Sequence, residues 1–341
     1  MQRQLPENAM NVAVATKENA SVDSAAEIVM QTRPPRFAKA GTALLYAAAS
    51  TLITIVNKSV LTGYGFPSYR FVAVSQMLAT VTVLYAAKRL GRARFPDMGG
   101  RTFADVFPMP LIHLGNVELG LAGTKELSLP TFTVLRRLAI PMTMSGEYYL
   151  LRVAADPFVK TSVAMLVTGA VIAAGNDVEL NIGGCAFVLF NDLLTAAGGV
   201  FSKRKLNANR QMGECGLLYY SSLFVLPFAL VHLYFSDDLD HVYRFNYWLY
   251  PPFLIQMFVS SIMGLVLNYS TMLCIQYNSA LTTTIIGCLK NIIVTYASMF
   301  IGGDYVYTFY NFIGINISII GSLYYTYVTF RPSKQMEYNI K

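Results

Sequence analysis

The sequence predicts an all-α membrane protein of ten transmembrane helices, in two five-helix repeats inserted with opposite orientation. Three observations predict it. Hydrophobic residues make up 54% of the 341 and charged residues only 13%, where a soluble domain carries about 25% charged. The mean hydropathy of +0.45 is spread along the chain and implies more apolar surface than one core can bury. Apolar stretches of the roughly 20 residues needed to cross a hydrocarbon layer of about 30 Å recur down the sequence. The lipid bilayer is the expected solvent, and a soluble enzyme is excluded. No nucleic-acid partner is expected either, because the formal charge of +7 gathers at helix ends, where basic residues fix orientation.

Residues 1–37 are polar, mixed in charge and poor in aromatics, with Pro34 and Pro35 near their end, and read as a disordered cytosolic tail. The first repeat, 38–177, holds spans at 38–61, 68–90, 103–122, 129–151 and 158–176. Lys58 closes the first span and Arg70 opens the second; the third carries Glu118, and the fourth carries Arg136, Arg137 and Glu147. The second repeat, 178–330, holds spans at 182–202, 215–235, 250–276, 279–301 and 306–329. Asp192 lies in the sixth, which runs into Lys203-Arg204-Lys205, and the seventh gives way to the acidic Asp237, Asp238 and Asp240. The eighth carries Asn268, the ninth Lys290, and the tenth Tyr324, Tyr325 and Tyr327, which suit packing or an interfacial belt. Residues 331–341 form a second cytosolic tail.

Orientation follows from the basic residues. With the N-terminus in the cytosol, 19 of the 26 Lys and Arg residues fall on the cytosolic side, only Lys125 and Arg244 face out, and five lie inside spans. This asymmetry places both termini in the cytosol. The four cysteines, at 185, 215, 274 and 288, have neither metal-ligand spacing nor a place in an external loop, so free thiols are expected. His113, His232 and His241 are scattered, and no metal or cofactor is expected.

A repeat with an odd number of spans must insert in opposite orientations. Asn116 and Ser128 bracket the junction of the third and fourth spans as Asn268 and Ser279 bracket that of the eighth and ninth. Ser128-x-x-Thr131-x-Thr133 then matches Ser279-x-x-Thr282-x-Thr284, and a basic residue follows in each half, Arg136-Arg137 and Lys290. Such repeats build secondary transporters with a solute site between the halves near the midplane.

The five intramembrane cations carry the chemical argument, because a charge in hydrocarbon costs several kcal/mol unless it meets a partner or an aqueous cavity. Arg70 and Lys58 lie near span ends, where long side chains snorkel to the interface. Lys290 lies about 17 Å into its helix at about 1.5 Å per residue, too deep for easy escape. Arg136 and Arg137 are adjacent and point about 100° apart, so one of them is expected to face the cavity. Internal pairing with Glu118, Glu147 and Asp192 would leave two cations over, as a site for an anionic solute needs. Tyr219, Tyr220, Ser221 and Ser222 offer stacking and hydrogen bonding to a nucleobase, or ordinary helix packing through small polar residues. Gly314, Ser318 and Gly321 could pack a homodimer or pack within the bundle.

Several runs then become specific: Ile55-Val56-Asn57-Lys58, Thr133-Val134-Leu135-Arg136-Arg137, Asn191-Asp192-Leu193-Leu194-Thr195-Ala196-Ala197, Gln276-Tyr277-Asn278-Ser279-Ala280-Leu281-Thr282-Thr283-Thr284, Gly287-Cys288-Leu289-Lys290-Asn291 and Gly302-Gly303-Asp304-Tyr305. Through them the chain resembles the nucleotide-sugar antiporters of solute carrier family 35, over about residues 40–330, and in particular the UDP-glucuronic acid/UDP-N-acetylgalactosamine branch. The resemblance implies the drug/metabolite transporter fold, a Golgi or endoplasmic reticulum membrane, and exchange of a cytosolic nucleotide sugar for lumenal nucleoside monophosphate. It is partial toward the GDP-mannose carriers. They have Phe-Tyr-Asn-Asn where this chain has Tyr219-Tyr220-Ser221-Ser222, and Gly-Ala-Leu-Asn-Lys where it has Gly287-Cys288-Leu289-Lys290-Asn291. The missing Asn pair argues against GDP-sugars, and the family's phosphate-binding Lys passes to Lys290. Its nucleotide-contacting Tyr matches Tyr46, and its polar contact in the eighth helix matches Asn268.

The expected partners are therefore a UDP-sugar and UMP. Lys290 and one of Arg136 and Arg137 would hold the diphosphate, with Asn291, Gly287, Thr283 and Lys58 beside them, while Tyr46, Tyr219, Tyr220, Ser221, Ser222 and Asn268 surround base and ribose. The mechanism would be alternating access, with an empty cationic site too costly to occlude until an anion neutralises it. Two other classes stay open: a carrier of this fold for another organic anion such as a sugar phosphate, and a membrane-embedded glycosyltransferase-type enzyme. A primary pump is excluded for want of a Gly-x4-Gly-Lys-Ser/Thr phosphate loop.

Overall fold

The computed structural model describes residues 36–126, 135–174, 182–209, 211–301 and 309–330. The described chain is helical throughout its elements: α1 (Arg36–Lys58), α2 (Tyr69–Arg89), α3 (Thr102–Val106), α4 (Met109–Glu126), α5 (Ala139–Leu151), α6 (Pro157–Ala174), α7 (Ile182–Ala208), α8 (Gly213–Tyr234), α9 (Asp238–Tyr243), α10 (Pro251–Tyr277), α11 (Ala280–Ile301) and α12 (Phe309–Phe330). Among the described residues six segments are long and apolar enough to cross a membrane, in α1, α2, α7, α8, α10 and α12, and the apolar parts of α6 and α11 are shorter. This is an all-α, multi-pass membrane protein. Large apolar side chains such as Leu44, Leu52, Ile55, Phe190 and Phe258 stand exposed on the outside of the bundle, where lipid is their natural solvent.

Local chemistry explains the helix ends. The Ser68 side chain accepts from the Phe71 N–H at 3.0 Å to cap α2, and Lys88 and Arg89 fill its last turn, where cations suit the helix dipole. Pro251 and Pro252 open α10, where a missing N–H costs nothing. The expected third span is broken: Phe107 leaves the helical region at ψ 136° before Pro108, so α3 and α4 are separate helices. Arg136–Leu138 forms a 3₁₀ turn ahead of α5, so the fourth helix is not regular from its described start. The sixth is longer than expected, its 27 residues reaching Ala208, about 40 Å at 1.5 Å per residue, which keeps the basic run helical beyond the apolar part. Arg36 and Phe37, expected in the tail, already belong to α1; residues 1–35 and 331–341, Ser128, Thr131, Thr133 and the Gly302-Gly303-Asp304 run lie outside the described residues.

The packing is pairwise. α4 lies along α7 and α10 along α1; α2 touches both α8 and α10; α5 meets α7 and α11, and α11 meets α1; α6 and α12 form the most extensive pair. At the basic end, Phe95, Met109, Leu206, Leu217, Tyr220 and Ile275 make one apolar cluster. At the acidic end, Val60, Phe66, Val72, Val242, Phe253 and Met257 make another, sealed by Trp248. A third, with Ile140, Leu166, Leu281, Ile285 and Tyr325, joins α5, α6, α11 and α12.

The α6–α12 contact decides between the two readings of the small-residue stripe in favour of packing within the bundle. A methyl group at Gly169 would stand 2.6 Å from the Gly314 carbonyl oxygen and 2.7 Å from the Ser318 backbone nitrogen, and one at Gly321 would stand 3.1 Å from the Ser162 carbonyl oxygen. Gly314, Ser318 and Gly321 are thus consumed within the chain by close backbone approach, and this stripe is not a dimer surface.

Candidate functional site

The site is built where α11 faces α1. Tyr46, Ser50 and Thr54 recur at one-turn spacing along one face of α1, and Thr283, Gly287 and Lys290 do the same along α11. Gly287 permits the approach: a methyl group there would lie 3.1 Å from the Tyr46 Oη. Lys290 Nζ donates to Thr54 Oγ1 at 3.2 Å. Lys290 is half-buried and pairs with no carboxylate among the described residues. Thr283 is buried, with its hydroxyl on the Ser279 carbonyl at 3.0 Å. Asn268 in α10 is half-buried and makes no side-chain hydrogen bond among the described residues. Asn291 follows Lys290 in α11, and its side chain lies outside them.

A second polar cluster joins Arg136 to α4 and α7, and here the cation has a carboxylate partner. Arg136 donates to Asp192 Oδ1 at 2.9 Å and to Thr195 Oγ1 at 3.4 Å, and contacts Asn191 Oδ1. Thr195 donates in turn to Asn116 Oδ1 at 2.9 Å, and the Asn191 amide to the Asn116 carbonyl at 2.7 Å. Arg136 keeps 34% of its side chain exposed, whereas Asp192 is fully buried. The neighbouring Arg137 points elsewhere, as adjacent helical residues must. It is buried against Ser318 at the α6–α12 contact. Of the two arginines, Arg136 is therefore the one beside the polar cluster, and Arg137 is set apart as a packing residue.

Other predicted site residues are placed differently. Tyr220 is 2% exposed, its hydroxyl donates to the Pro96 carbonyl at 2.7 Å, and its ring packs on Phe95 and Phe224. It belongs to the core at the basic end, because a buried phenol must find an acceptor and the 91–101 loop supplies one; the expected stacking role is corrected. Tyr219 is half-buried beside Phe95, with ring centroids 5.1 Å apart. Ser222 is half-buried, and the Ser221 Oγ is buried with no hydrogen-bond partner among the described residues. Lys58 is exposed at the end of α1. Arg70 pairs with Asp238 at 3.2 Å, joining α2 to α9.

Glu147, considered above as a partner for the intramembrane cations, instead accepts the Leu281 N–H at 2.9 Å and caps the start of α11. Lys203 complements it, donating to the carbonyls of Ile275, Gln276 and Asn278 at 2.6–2.9 Å and closing the end of α10. The Asn278 amide reaches the Lys39 carbonyl at 3.1 Å and Thr42 Oγ1 at 3.2 Å. Sequence reasoning missed Thr54, Thr195 and this junction. Lys203 read only as one cation in a basic run, and no local signal marks its carbonyl partners some seventy residues on.

Residues 40–326 match the Triose-phosphate Transporter family. The chain belongs to that family. It is 49% identical over 301 residues to the UDP-sugar transporter UST74c of Drosophila melanogaster, covering 87% of this chain and 80% of that protein. It is 44% identical over 305 residues to the UDP-sugar transporter sqv-7 of Caenorhabditis elegans, covering 87% and 91%. It is 41% identical over 296 residues to the human nucleotide sugar transporter SLC35D2, covering 87% and 88%. A solved crystal structure superposes with a TM-score of 0.62 over 87% of this chain and all of that one, at 12% identity, a likeness of fold alone. The resemblance to solute carrier family 35 read from the residues holds. This family member is a transporter and not an enzyme, so the glycosyltransferase reading falls.

Proposed function

We propose that the protein is a UDP-sugar antiporter that brings UDP-glucuronate, UDP-N-acetylgalactosamine or a related UDP-sugar from the cytosol into the Golgi or endoplasmic reticulum lumen in exchange for UMP. The observation that carries this reading is an asymmetry between two related cations. Arg136 in the first half is neutralised by Asp192, while among the described residues Lys290 in the second hydrogen-bonds only the Thr54 hydroxyl. A half-buried cation with no acid beside it is stable in a membrane interior when a solute anion takes that place.

The packing supports ten spans in two inverted repeats, 38–177 and 178–330. Exchanging helices one to five of the ten with six to ten maps α4–α7 onto α10–α1, α5–α7 onto α11–α1, and α6–α12 onto itself. In this reading the basic end is cytosolic, with both termini there. Lys290 and Arg136 hold the diphosphate, Tyr46, Thr54, Gly287, Thr283 and Asn291 lie along it, and Asn268 with Tyr219, Ser221 and Ser222 serves base and ribose. An unneutralised Lys290 makes the empty carrier slow to occlude, and either exchanged anion relieves that cost.

The family is named for a sugar phosphate, and the relatives named for UDP-sugars favour the nucleotide form. Purified protein in liposomes preloaded with UMP tests the proposal. Labelled UDP-sugar should enter faster than into empty liposomes. Equal uptake into both would remove the exchange, and uptake driven only by sugar phosphate would replace the substrate.

A further inference from the structure

Asp192 sits in the middle of α7, fully buried, and among the described residues only one of its carboxylate oxygens is hydrogen-bonded. Oδ1 accepts from Arg136 at 2.9 Å, while Oδ2 has no hydrogen-bond partner among the described residues. A buried carboxylate keeps its charge only through such partners, and without them it takes a proton. Its one charged contact among the described residues comes from a guanidinium that is itself one-third exposed. Arg136 can therefore turn to another anion, and Asp192, fixed on the inner face of its helix, cannot follow.

We infer that Asp192 is a proton site coupled to solute binding. In the empty protein the pair is –COO⁻ against guanidinium. When a diphosphate engages Arg136, the guanidinium charge is shared with the solute and Oδ2 takes one proton from hydronium of the buffered solvent, giving –COOH. One O–H bond forms at Oδ2 as one O–H bond of hydronium breaks and leaves water, the buffer acid replaces that hydronium, and the buried acid carries no uncompensated charge. The inference rests on the anion-carrier reading above.

The other groups around Asp192 do not substitute for Arg136. On the 3₁₀ turn ahead of α5, Arg137 is engaged at Ser318. On α11, Cys288 and Lys290 are the charged or titratable groups near the site, and neither hydrogen-bonds Oδ2. On α4, Asn116 does not titrate, His113 is exposed, and the Glu118 side chain lies outside the described residues. Proton uptake on binding requires that affinity fall as pH rises, by up to about tenfold per pH unit for one proton.

Calorimetric titration of the full-length protein in lipid nanodiscs tests this, with UDP-N-acetylgalactosamine as the probe because its diphosphate diester has no group titrating near neutral pH. Measured in buffers of different ionisation enthalpy, the wild type should take up about one proton per solute bound. Asp192→Glu should keep the uptake. Asp192→Asn should bind with none and lose the pH dependence, and Arg136→Gln, which leaves Asp192 unpaired before and after binding, should do the same. Binding without uptake by the wild type, or unchanged uptake in either Asp192→Asn or Arg136→Gln, would overturn the inference. Absence of binding by both the UDP-sugar and UMP would overturn the carrier reading beneath it.

Discussion

The ammonium of Lys290 donates to the hydroxyl of Thr54 at 3.2 Å across the α1–α11 interface, and this is the charged group's one hydrogen bond among the described residues. A hydroxyl can orient an ammonium without neutralising it. Its counterpart Arg136 has a carboxylate at 2.9 Å, and the difference makes Lys290 the side chain whose loss should hurt function more than folding.

Lys290→Ala should weaken UDP-sugar binding by about tenfold to a hundredfold, the equivalent of a charged hydrogen bond of about 1.5–3 kcal/mol. Expression and monodispersity in detergent should stay near wild type. Lys290→Arg should not rescue uptake, since a planar fork does not fill the place of a point charge. Collapse of the Ala variant on size-exclusion chromatography would make Lys290 a structural residue.

Gly169→Ala should destabilise the fold by about 1–3 kcal/mol through overpacking, because the new methyl would meet the Gly314 carbonyl and Ser318 backbone at 2.6–2.7 Å. Gly41→Ala provides the contrast. No atom lies within 4 Å of a methyl there, and helix propensity predicts a gain of about 0.5–1 kcal/mol. Thermal unfolding of both variants in the same detergent should move the midpoint in opposite directions.

UMP should compete for uptake and GMP should compete poorly. The Ser221 hydroxyl is buried and unpartnered among the described residues, a short group where the GDP-mannose carriers present an amide. Guanine's extra donors would go unpaired at about 1–3 kcal/mol each, enough for roughly tenfold discrimination or more. Equal displacement by GMP in a competition assay would reject the uridine assignment and leave the antiporter architecture standing.

Tyr220→Phe should lower stability by about 1 kcal/mol, through the lost bond to the Pro96 carbonyl, with UMP affinity unchanged. The same loop is tied by Lys88, which donates to Asp97 at 2.7 Å. That hydrogen bond and its charge hold the Asp97 carboxyl below its ordinary value. A depressed carboxylate contributes above its unfolded value and fades as pH falls through the folded one, so this tie should persist to pH below the usual carboxylate range. Unfolding midpoints measured from neutral to strongly acid pH, with Asp97→Asn as control, check the order of events.

Helix positions were legible because the bilayer imposes length and hydropathy on every segment that crosses it. The expected 182–202, 250–276 and 279–301 start within a residue of α7, α10 and α11. Phe107-Pro108 was less legible, since an apolar stretch hides a backbone break until the extended residue before the proline is seen. At the site, Lys290, Tyr46 and Gly287 were expected to line one solute site, Lys290 at the diphosphate and Tyr46 at the base, and the structure places all three along the α1–α11 interface. The sequence could not distinguish Arg136 from Arg137, because the roughly 120° between them in the 3₁₀ turn has meaning only once α7 and α12 flank it. Tyr220 and Glu147 were misread for a related reason. Each satisfies a backbone group far along the chain, and such partners follow from packing rather than from local pattern.

The α6–α12 contact has a mechanical consequence. Where Gly169 meets Gly314 and Ser318, no long side chains separate the two backbones, so little can deform between them. Helices in such contact resist sliding past one another and tolerate only a small roll about the line where they touch. That line should act as the fulcrum of the molecule. Spin labels on α6 and α12 near this crossing should keep their separation through the transport cycle, while labels on α1 and α11 should change theirs.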